Sequence, residues 1–207
     1  VIASYQRREY VRQQGIPYSG GNYKKYSHSL FFGDPDYGYD VDVYRLGSNY
    51  AHYFDNAWTF KQNFAVTKTE TLGDSILASG RSVLPTIKRA INNQDVNYTL
   101  DNNLQRNFNF EHINYDVMVG LDMMRERSDY YRRTDTINDF DVNNPSYGNI
   151  SIKKVGVPTE EITYSQYAGL YLRNTIKIDD DWIIGLSGRH DWTQVEIDNI
   201  LTNTTTK

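Results

Sequence analysis

The feature that most constrains the fold of this chain is a two-residue period in hydrophobicity. In the segment 58–67 the large apolar side chains all lie at even positions, and the odd positions carry Thr, Lys, Asn and Ala. Because successive side chains of a strand point to opposite faces, this pattern predicts a strand with one apolar and one polar face. Similar stretches predict about seven strands in all. They span 1–9, 43–54, 58–67, 98–110, 115–121, 168–178 and 182–197.

Short and long connections alternate between these strands. The short connections are tight turns at Asp55, Asn114 and Asp180. The long ones are polar segments rich in Gly, Asn, Asp, Pro and Tyr, namely 10–42, 71–95 and 128–160. A soluble sandwich does not require this alternation, whereas transmembrane barrels have short periplasmic turns and long extracellular loops. The sequence therefore predicts an all-β fold, an antiparallel transmembrane β-barrel segment with its tight turns facing the periplasm.

The polar face of the predicted strands indicates a wide barrel. In the strand 98–110 the odd positions from Asp101 to Asn109 are all Asp, Asn or Gln, a row that is costly in a dry core but not against water or a polar plug. Barrels of about eight strands fill with side chains, whereas transporters of about 22 strands hold a plug. About seven strands would also leave open edges in lipid. We therefore expect residues 1–207 to be part of a barrel domain, cut at both ends from a longer chain.

Composition argues against several other classes of protein. The mean hydropathy of -0.68 and the 39% hydrophobic content are low for a large dry core, whereas the 18 Tyr suit strands with one wet face. The net charge of -4 is mild and the basic residues are dispersed, so nucleic acid is not an expected partner. The chain has no Cys. No apolar run approaches the roughly 18 residues of a membrane-spanning helix.

Aromatic residues lie beside each predicted tight turn. Amphipathic rings prefer the headgroup level of a bilayer, so rings at one end of consecutive strands are typical of a membrane girdle in contact with outer-membrane lipid. The predicted girdle consists of Phe54, Trp58, Phe110, Tyr115 and Trp182. The alternative is that these residues are ordinary core aromatics near hairpin turns.

Seven stretches, in order along nearly the whole chain, carry a family resemblance. They are 15–18 (GIPY), 32–35 (FGDP), 50–60 (YAHYFDNAWTF), 140–148 (FDVNNPSYG), 166–174 (QYAGLYLRN), 181–182 (DW) and 188–191 (GRHD). Together they resemble TonB-dependent ferric-siderophore receptors, especially the branch that takes hydroxamate and mixed-ligand siderophores such as ferrichrome, coprogen and pyoverdine. His190 is a departure, since the family more often has an aromatic residue between this Arg and Asp.

The resemblance implies a barrel of about 22 strands around a plug, in the outer membrane of a Gram-negative bacterium. It also implies capture of a ferric siderophore from outside and energy delivered through TonB. The TonB box, the plug domain and the remaining strands of such a receptor lie outside these 207 residues. Iron would enter only within the bound ferric siderophore, and no other cofactor is expected.

Five tyrosines are candidate siderophore contacts, because aromatic rings supply contact area at low entropic cost. Four are assigned to the long loop 10–42 and one to the outer end of an inward-facing row. They are Tyr18, Tyr23, Tyr37 and Tyr39, and Tyr167. The alternative for each is that Tyr is simply frequent in outer-membrane loops and girdles.

No catalytic or metal site is predicted. The spacing of Asp139, Asp141 and Asn143 matches the opening of an EF-hand loop, but Asn144 stands where that loop needs Gly. The four His are scattered, and no nucleophile elbow or phosphate loop is visible. A transporter is therefore expected, and not an enzyme. Two alternatives remain open, a passive porin-like or structural outer-membrane barrel and a soluble β-sandwich used for binding.

Overall fold

The computed structural model describes residues 1–12, 31, 33–78, 86–138, 146–179 and 181–207, and nine β-strands lie within them. The strands are β1 (Ile2–Tyr10), β2 (Tyr39–Tyr53), β3 (Trp58–Ala78), β4 (Thr86–Asn109), β5 (Ile113–Ile137), β6 (Ile152–Lys154), β7 (Thr159–Ile178), β8 (Trp182–Asn199) and β9 (Thr204–Thr206). The seven longer strands overlap the seven predicted ones, which extend past β1, β2 and β4 by one residue each. β6 and β9, of three residues each, are additional.

All nine strands form one antiparallel sheet in which, apart from the short β6, successive strands of the chain are paired. The order is β1-β2-β3-β4-β5-β7-β8-β9, and β6 pairs with the end of β5. The central ladder is long, since β4 and β5 stay paired from Asn109 and Asn114 to Ile87 and Thr136. Within the described residues β1 and β9 do not pair with each other, so the sheet is open. The predicted all-β antiparallel fold is confirmed. None of the described residues form a helix long and apolar enough to cross a membrane.

Paired residues of adjacent strands carry their side chains on the same face and form rows across the sheet. One row consists of Phe64, Leu100, Met123, Ala168 and Trp192. The next row consists of Asn63, Asp101, Asp122, Gly169 and Asp191. Adjacent rows lie on opposite faces, which we call the apolar face and the polar face. Two polar residues on the apolar face hydrogen-bond each other, since Gln62 Nε2 donates to Asn102 Oδ1 at 2.8 Å.

The three tight turns lie at one end of the sheet, as predicted, and we call this the turn end. In the first, Ala57 has a φ of 65° and its N–H donates to the Phe54 carbonyl at 3.0 Å. In the second, the Phe110 N–H donates to the Ile113 carbonyl at 2.8 Å. This turn precedes Asn114, where it was predicted, because Asn114 already pairs with Asn109 in the ladder. The third is tied to the second, because the Asp179 N–H donates to the His112 carbonyl at 2.9 Å. Asp180 itself lies outside the described residues.

At the opposite end, the far end, the strands extend well beyond the predicted bounds. The predicted loop 71–95 contains the last residues of β3 and the first of β4. The predicted loop 128–160 contains the end of β5, all of β6 and the start of β7. These loop predictions were wrong because the ladder depends on backbone hydrogen bonds. Alternation in hydrophobicity disappears where both faces of a strand are polar.

A small core lies at the far end. Ile76 and Leu77 are 4% and 2% exposed although they are consecutive, so both faces of β3 are covered there. The other buried members are Tyr39, Ile137, Ser75, Asp34 and Asp135. The sheet therefore has a compact end formed by strands and connecting segments, whereas its middle presents two open faces.

Candidate functional site

A set of charged and tyrosine side chains is linked across four strands in the middle of the polar face. We call it the polar-face network, and its members are Asp101, Asp122, Tyr167, Tyr171, Arg189 and Asp191. Asp101, Asp122 and Asp191 belong to a single row across the sheet. Like charges in directly opposed positions of a sheet are destabilising. These three carboxylates therefore need partners on the same face.

Arg189 of β8 supplies the positive charge. Its Nη2 lies 2.9 Å from both carboxylate oxygens of Asp122, and its Nε lies 2.8 Å from Asp191 Oδ1. One guanidinium thus bridges carboxylates from β5 and β8, over the β7 strand that separates them. Charge-assisted hydrogen bonds of this kind are stronger than neutral ones and fix the geometry of the planar group.

Two tyrosines of β7 complete the network. The Arg189 guanidinium lies 5.5 Å from the centre of the Tyr167 ring and 5.6 Å from that of Tyr171, within the range of a cation–π interaction. The Tyr171 hydroxyl donates to Asp101 Oδ2 at 2.8 Å, and the Tyr167 hydroxyl donates to Asp122 Oδ1 at 3.3 Å. Each carboxylate of the row is therefore bound by at least one donor.

Two glycines lie beneath the network, and their lack of a side chain provides the space that it occupies. Gly169 lies between Tyr167 and Tyr171, and a Cβ there would collide with Arg189 Nη2 and with Asp122 and Asp191. Gly120 pairs with Tyr171, and a Cβ at Gly120 would overlap the tyrosine ring. A ring that covers a glycine on a neighbouring strand also stabilises the glycine-containing strand.

An open cavity of about 450 Å³ adjoins the network, lined in part by Asp101, Tyr171, Arg173 and Arg189. The wall of this cavity offers hydroxyl and guanidinium donors beside carboxylate acceptors. Such an arrangement suits the recognition of a polar surface.

Of the five candidate tyrosines, Tyr167 lies in the polar-face network. It is in the middle of β7 and not at the outer end of a strand as predicted, because β7 begins at Thr159. Tyr37 lies at the far end, where the Lys88 ammonium is 5.1 Å from its ring centre. Tyr39 is the first residue of β2 and not a loop residue, and its buried hydroxyl hydrogen-bonds that of Ser75 at 2.5 Å. Tyr18 and Tyr23 lie outside the described residues. Siderophore contact remains a prediction for all five.

The five predicted girdle aromatics all lie at the turn end. Trp58, Tyr115 and Trp182 are on the apolar face, and Phe54 and Phe110 are in the turns themselves. Phe108, absent from the predicted set, connects two of them, with its ring centre 6.3 Å from that of Trp58 and 5.9 Å from that of Tyr115. The geometry suits a girdle, and the membrane role of these residues remains a prediction.

Two stretches of the family resemblance meet at the far end. Asp34, which is 4% exposed, accepts hydrogen bonds from the backbone N–H groups of Asp36 at 3.0 Å and Gly148 at 2.6 Å. The Tyr147 hydroxyl donates to the Phe31 carbonyl at 3.0 Å. Asp34 is therefore a structural acceptor that joins two connecting segments. In the part of the chain that is described, no group of three or more His, Cys, Asp or Glu could hold a metal ion. The segment 139–143 with the EF-hand spacing lies outside it.

Most of the network was not identified from the sequence. Parity alone assigns Asp101, Asp122 and Arg189 to the polar face, but only the register of the strands shows that they meet. Arg189 and Asp122 are 67 positions apart. A usable signal was the pair of Gly residues facing Tyr171 and Arg189. The departure at His190 leaves the network intact, because His190 lies on the apolar face against Trp192, with ring centres 4.5 Å apart.

Fold and site together are those of a section of β-barrel wall, an open antiparallel sheet with one polar and one apolar face. The family model described as "TonB dependent receptor-like, beta-barrel" matches residues 2–207. This chain belongs to that family of transport receptors.

Relatives with named ligands match most of this chain. It is 29% identical over 193 residues to the ferrioxamine B receptor of Salmonella typhimurium, covering 89% of this chain and 26% of the relative. It is 24% identical over 206 residues to the ferrioxamine receptor of Yersinia enterocolitica, covering 92% of this chain and 28% of the relative. The chain thus spans about a quarter of the length of these curated relatives.

Two solved structures share the fold. The siderophore receptor PiuA from Acinetobacter baumannii has a TM-score of 0.81 at 12% identity, with 96% of this chain and 33% of that chain covered. The closed form of the ferric-catecholate import receptor Fiu from E. coli K12 has a TM-score of 0.71 at 14% identity, with 95% and 32% covered.

Proposed function

We propose that this chain is part of the barrel wall of an outer-membrane receptor that imports a ferric siderophore of the ferrioxamine type. The observation that carries the proposal is a sheet of this receptor family whose middle bears a pre-assembled polar network. The named relatives are ferrioxamine receptors that match 89% and 92% of the chain. Ferrioxamine is a hydroxamate chelate, which agrees with the branch that the sequence resembles.

The polar face would line the barrel interior. A network in which Arg189 holds two carboxylates and two tyrosine rings presents fixed donors and acceptors to whatever fills the interior. Groups that are already oriented lose little side-chain entropy when they bind a polar surface. Tyr167, at the rim of the network, is the predicted tyrosine best placed to meet a chelate there.

The apolar face would contact outer-membrane lipid, with the aromatic residues of the turn end at the periplasmic headgroups. Transport of a large chelate past a plug requires work, so the receptor would depend on TonB, as the family name indicates. The plug and the remaining strands would come from other parts of the full-length receptor. We assign no catalytic activity and no resident cofactor to this region.

The passive porin or structural barrel has no support among these relatives, which are named as receptors. The soluble β-sandwich alternative does not account for an apolar face that continues across five consecutive paired strands.

The test is uptake of radioactive iron as ferrioxamine by cells that lack their own ferrioxamine receptor and produce the full-length protein. We expect uptake in a TonB-positive strain and none in an otherwise identical TonB-negative strain. Equal uptake in both strains would identify a passive pore and contradict the proposal. TonB-dependent uptake of a different siderophore, with none of ferrioxamine, would overturn the ligand assignment alone.

A further inference from the structure

The apolar face of the sheet ends abruptly at one row. Its last fully apolar row is Phe64, Leu100, Met123, Ala168 and Trp192. The next row on this face, two positions toward the far end, is Val66, Tyr98, Arg125, Gln166 and Gln194. Three adjacent strands therefore each place a hydrogen-bond donor at the border, namely Arg125, Gln166 and Gln194.

Two grooves meet at Arg125. One, of about 550 Å³, is lined by apolar side chains on the turn side of the border, including Phe64, Leu100, Met123 and Trp192. The other, of about 760 Å³, is lined on the far side by Arg125, Arg127, Asp129 and Tyr164. Met123 and Trp192 are 44% and 53% exposed, so the floor of the first groove is open. An apolar groove thus leads directly to a polar one with two Arg and one Asp side chain.

Arg125 differs from the other cations near the border because its charge is not neutralised. Lys68 lies 2.8 Å from Glu70, and Arg127 lies 3.0 Å from Asp129. Arg125 is exposed, and none of the described residues provides it with an acidic partner. A free guanidinium beside an apolar groove is complementary to a ligand with a negative head and an apolar tail.

The distance of Arg125 from the turn end, measured along the membrane normal, suits a ligand whose head lies at the membrane surface. Arg125 is ten positions beyond Tyr115 on β5, and both lie on the apolar face. At about 3.3 Å per residue and a tilt of about 40°, this separation spans roughly 25 Å of membrane normal. That is about the height of the apolar band of an outer-membrane barrel. If Tyr115 marks one headgroup level, Arg125 lies at the other.

We propose that the border at Arg125 is a binding site for an acylated lipid that carries phosphate on its headgroup. An acyl chain lies in the apolar groove, and the phosphate accepts hydrogen bonds from the Arg125 guanidinium and from the amides of Gln166 and Gln194. A lipid is favoured over a free anion because the guanidinium stands directly above the apolar groove. The site lies on the opposite face from the polar-face network. It depends on the barrel being in a membrane and not on which siderophore is imported.

The test uses the full-length receptor in phosphatidylcholine vesicles with a small fraction of spin-labelled phosphatidylglycerol. We expect the anionic probe to be immobilised on the protein in preference to spin-labelled phosphatidylcholine. Arg125→Gln should reduce that preference by about fivefold, the effect of one basic side chain near a lipid headgroup. Arg45→Gln is the matched control, because Arg45 loses the same charge at a similar height on the polar face. Heat-modifiable migration verifies that each variant is folded.

A second variant separates a lipid site from a simple anion site. Ala168→Trp fills the apolar groove without changing any charge, and we expect it to release the immobilised probe. Millimolar inorganic phosphate should not displace the probe from the unmodified receptor. Equal probe preference in Arg125→Gln and the unmodified receptor would overturn the proposal. Displacement by inorganic phosphate, together with no effect of Ala168→Trp, would also overturn it in favour of an anion site. None of these measurements requires siderophore uptake.

Discussion

The polar-face network requires glycine at positions 169 and 120, because a side chain at either position would collide with its members. Arg189 reaches Asp122 only by passing over Gly169, and the Tyr171 ring lies on Gly120. Glycine in a strand interior weakens the strand, and it often marks a place of close approach. Here the approaching groups are a guanidinium and an aromatic ring, so the cost to the strand is offset by contacts across the sheet.

A single methyl group at Gly169 should therefore disturb the network. Gly169→Ala is expected to displace Arg189 and destabilise the full-length receptor by about 1–3 kcal/mol, as overpacking generally does. The control is Gly185→Ala on the same face of the adjacent strand β8, where an added Cβ has no neighbour within 4 Å. The measurement is the temperature at which the folded, heat-modifiable form is lost in detergent. Equal temperatures for the two variants would contradict this assignment.

The face on which a single residue lies could be predicted from the sequence, but its partner on another strand could not. The assignment of Tyr167 to the inward-facing side followed from parity and agrees with its place in the network. The Arg189–Asp122 pair could not be predicted in the same way. A shift of one residue in register would move every side chain of a strand to the other face, and the sequence does not specify the register between strands joined by long connections.

At the scale of elements, the far end of β5 is held by a buried carboxylate. Asp135 is 0% exposed, and it accepts hydrogen bonds from the Gly156 N–H at 2.9 Å and from Arg133 Nε at 3.1 Å. Burial favours the neutral acid, but the Gly156 N–H and the Arg133 charge outweigh it, so the pKa of Asp135 lies below its ordinary value. Asp135 thus ties the segment after β6 to β5.

This lowered pKa determines how the attachment depends on pH. The stabilisation by Asp135 is fully present above the unfolded-state pKa, near 3.8, and is lost as the pH falls through the lower pKa of the folded state. We therefore expect no loosening of 155–157 between pH 7 and pH 5. Asp135→Asn should loosen it at pH 7, because the Arg133 charge then has no buried partner. Limited proteolysis of the full-length receptor measures this.

The control for Asp135 is on the same strand. Asp129→Asn removes a carboxylate that pairs with Arg127 in the same two-residue spacing, but this pair is far more exposed. It should leave cleavage at 155–157 unchanged, because exposed ion pairs contribute little. Cleavage of 155–157 that begins between pH 7 and pH 5, or that is equal in the two variants, would refute the role of Asp135.

The elements themselves were predictable only where one face is apolar. The period of two located at least the turn-end part of each of the seven long strands and the approximate positions of the three tight turns. It did not locate the far end of β3, β4 or β5, because Thr, Asn, Asp and Arg occupy both faces there. The small core of Ile76, Leu77 and Ile137 depends on segments that fold back on the strands, and no local pattern predicts that contact.

At the scale of the whole molecule, the alternation of tight turns with long connections was the most informative property. It predicted the fold class before any resemblance was considered. The comparison with PiuA agrees, since the fold is shared at a TM-score of 0.81 with only 12% identity. A fold that depends on a pattern of apolar and polar positions tolerates extensive substitution of the individual residues.

In the full-length receptor, we expect one face of this sheet to contact lipid and the other to contact a wet interior. The most direct measurement is the accessibility of single spin labels along β7 in the full-length, cysteine-free receptor in bilayers. Labels at 168, 170 and 172 should collide preferentially with oxygen, which concentrates in lipid. Labels at 165, 173 and 175 should collide preferentially with a water-soluble nickel chelate. The reverse preference at the two sets of positions, or the same preference at both sets, would contradict this assignment of the faces.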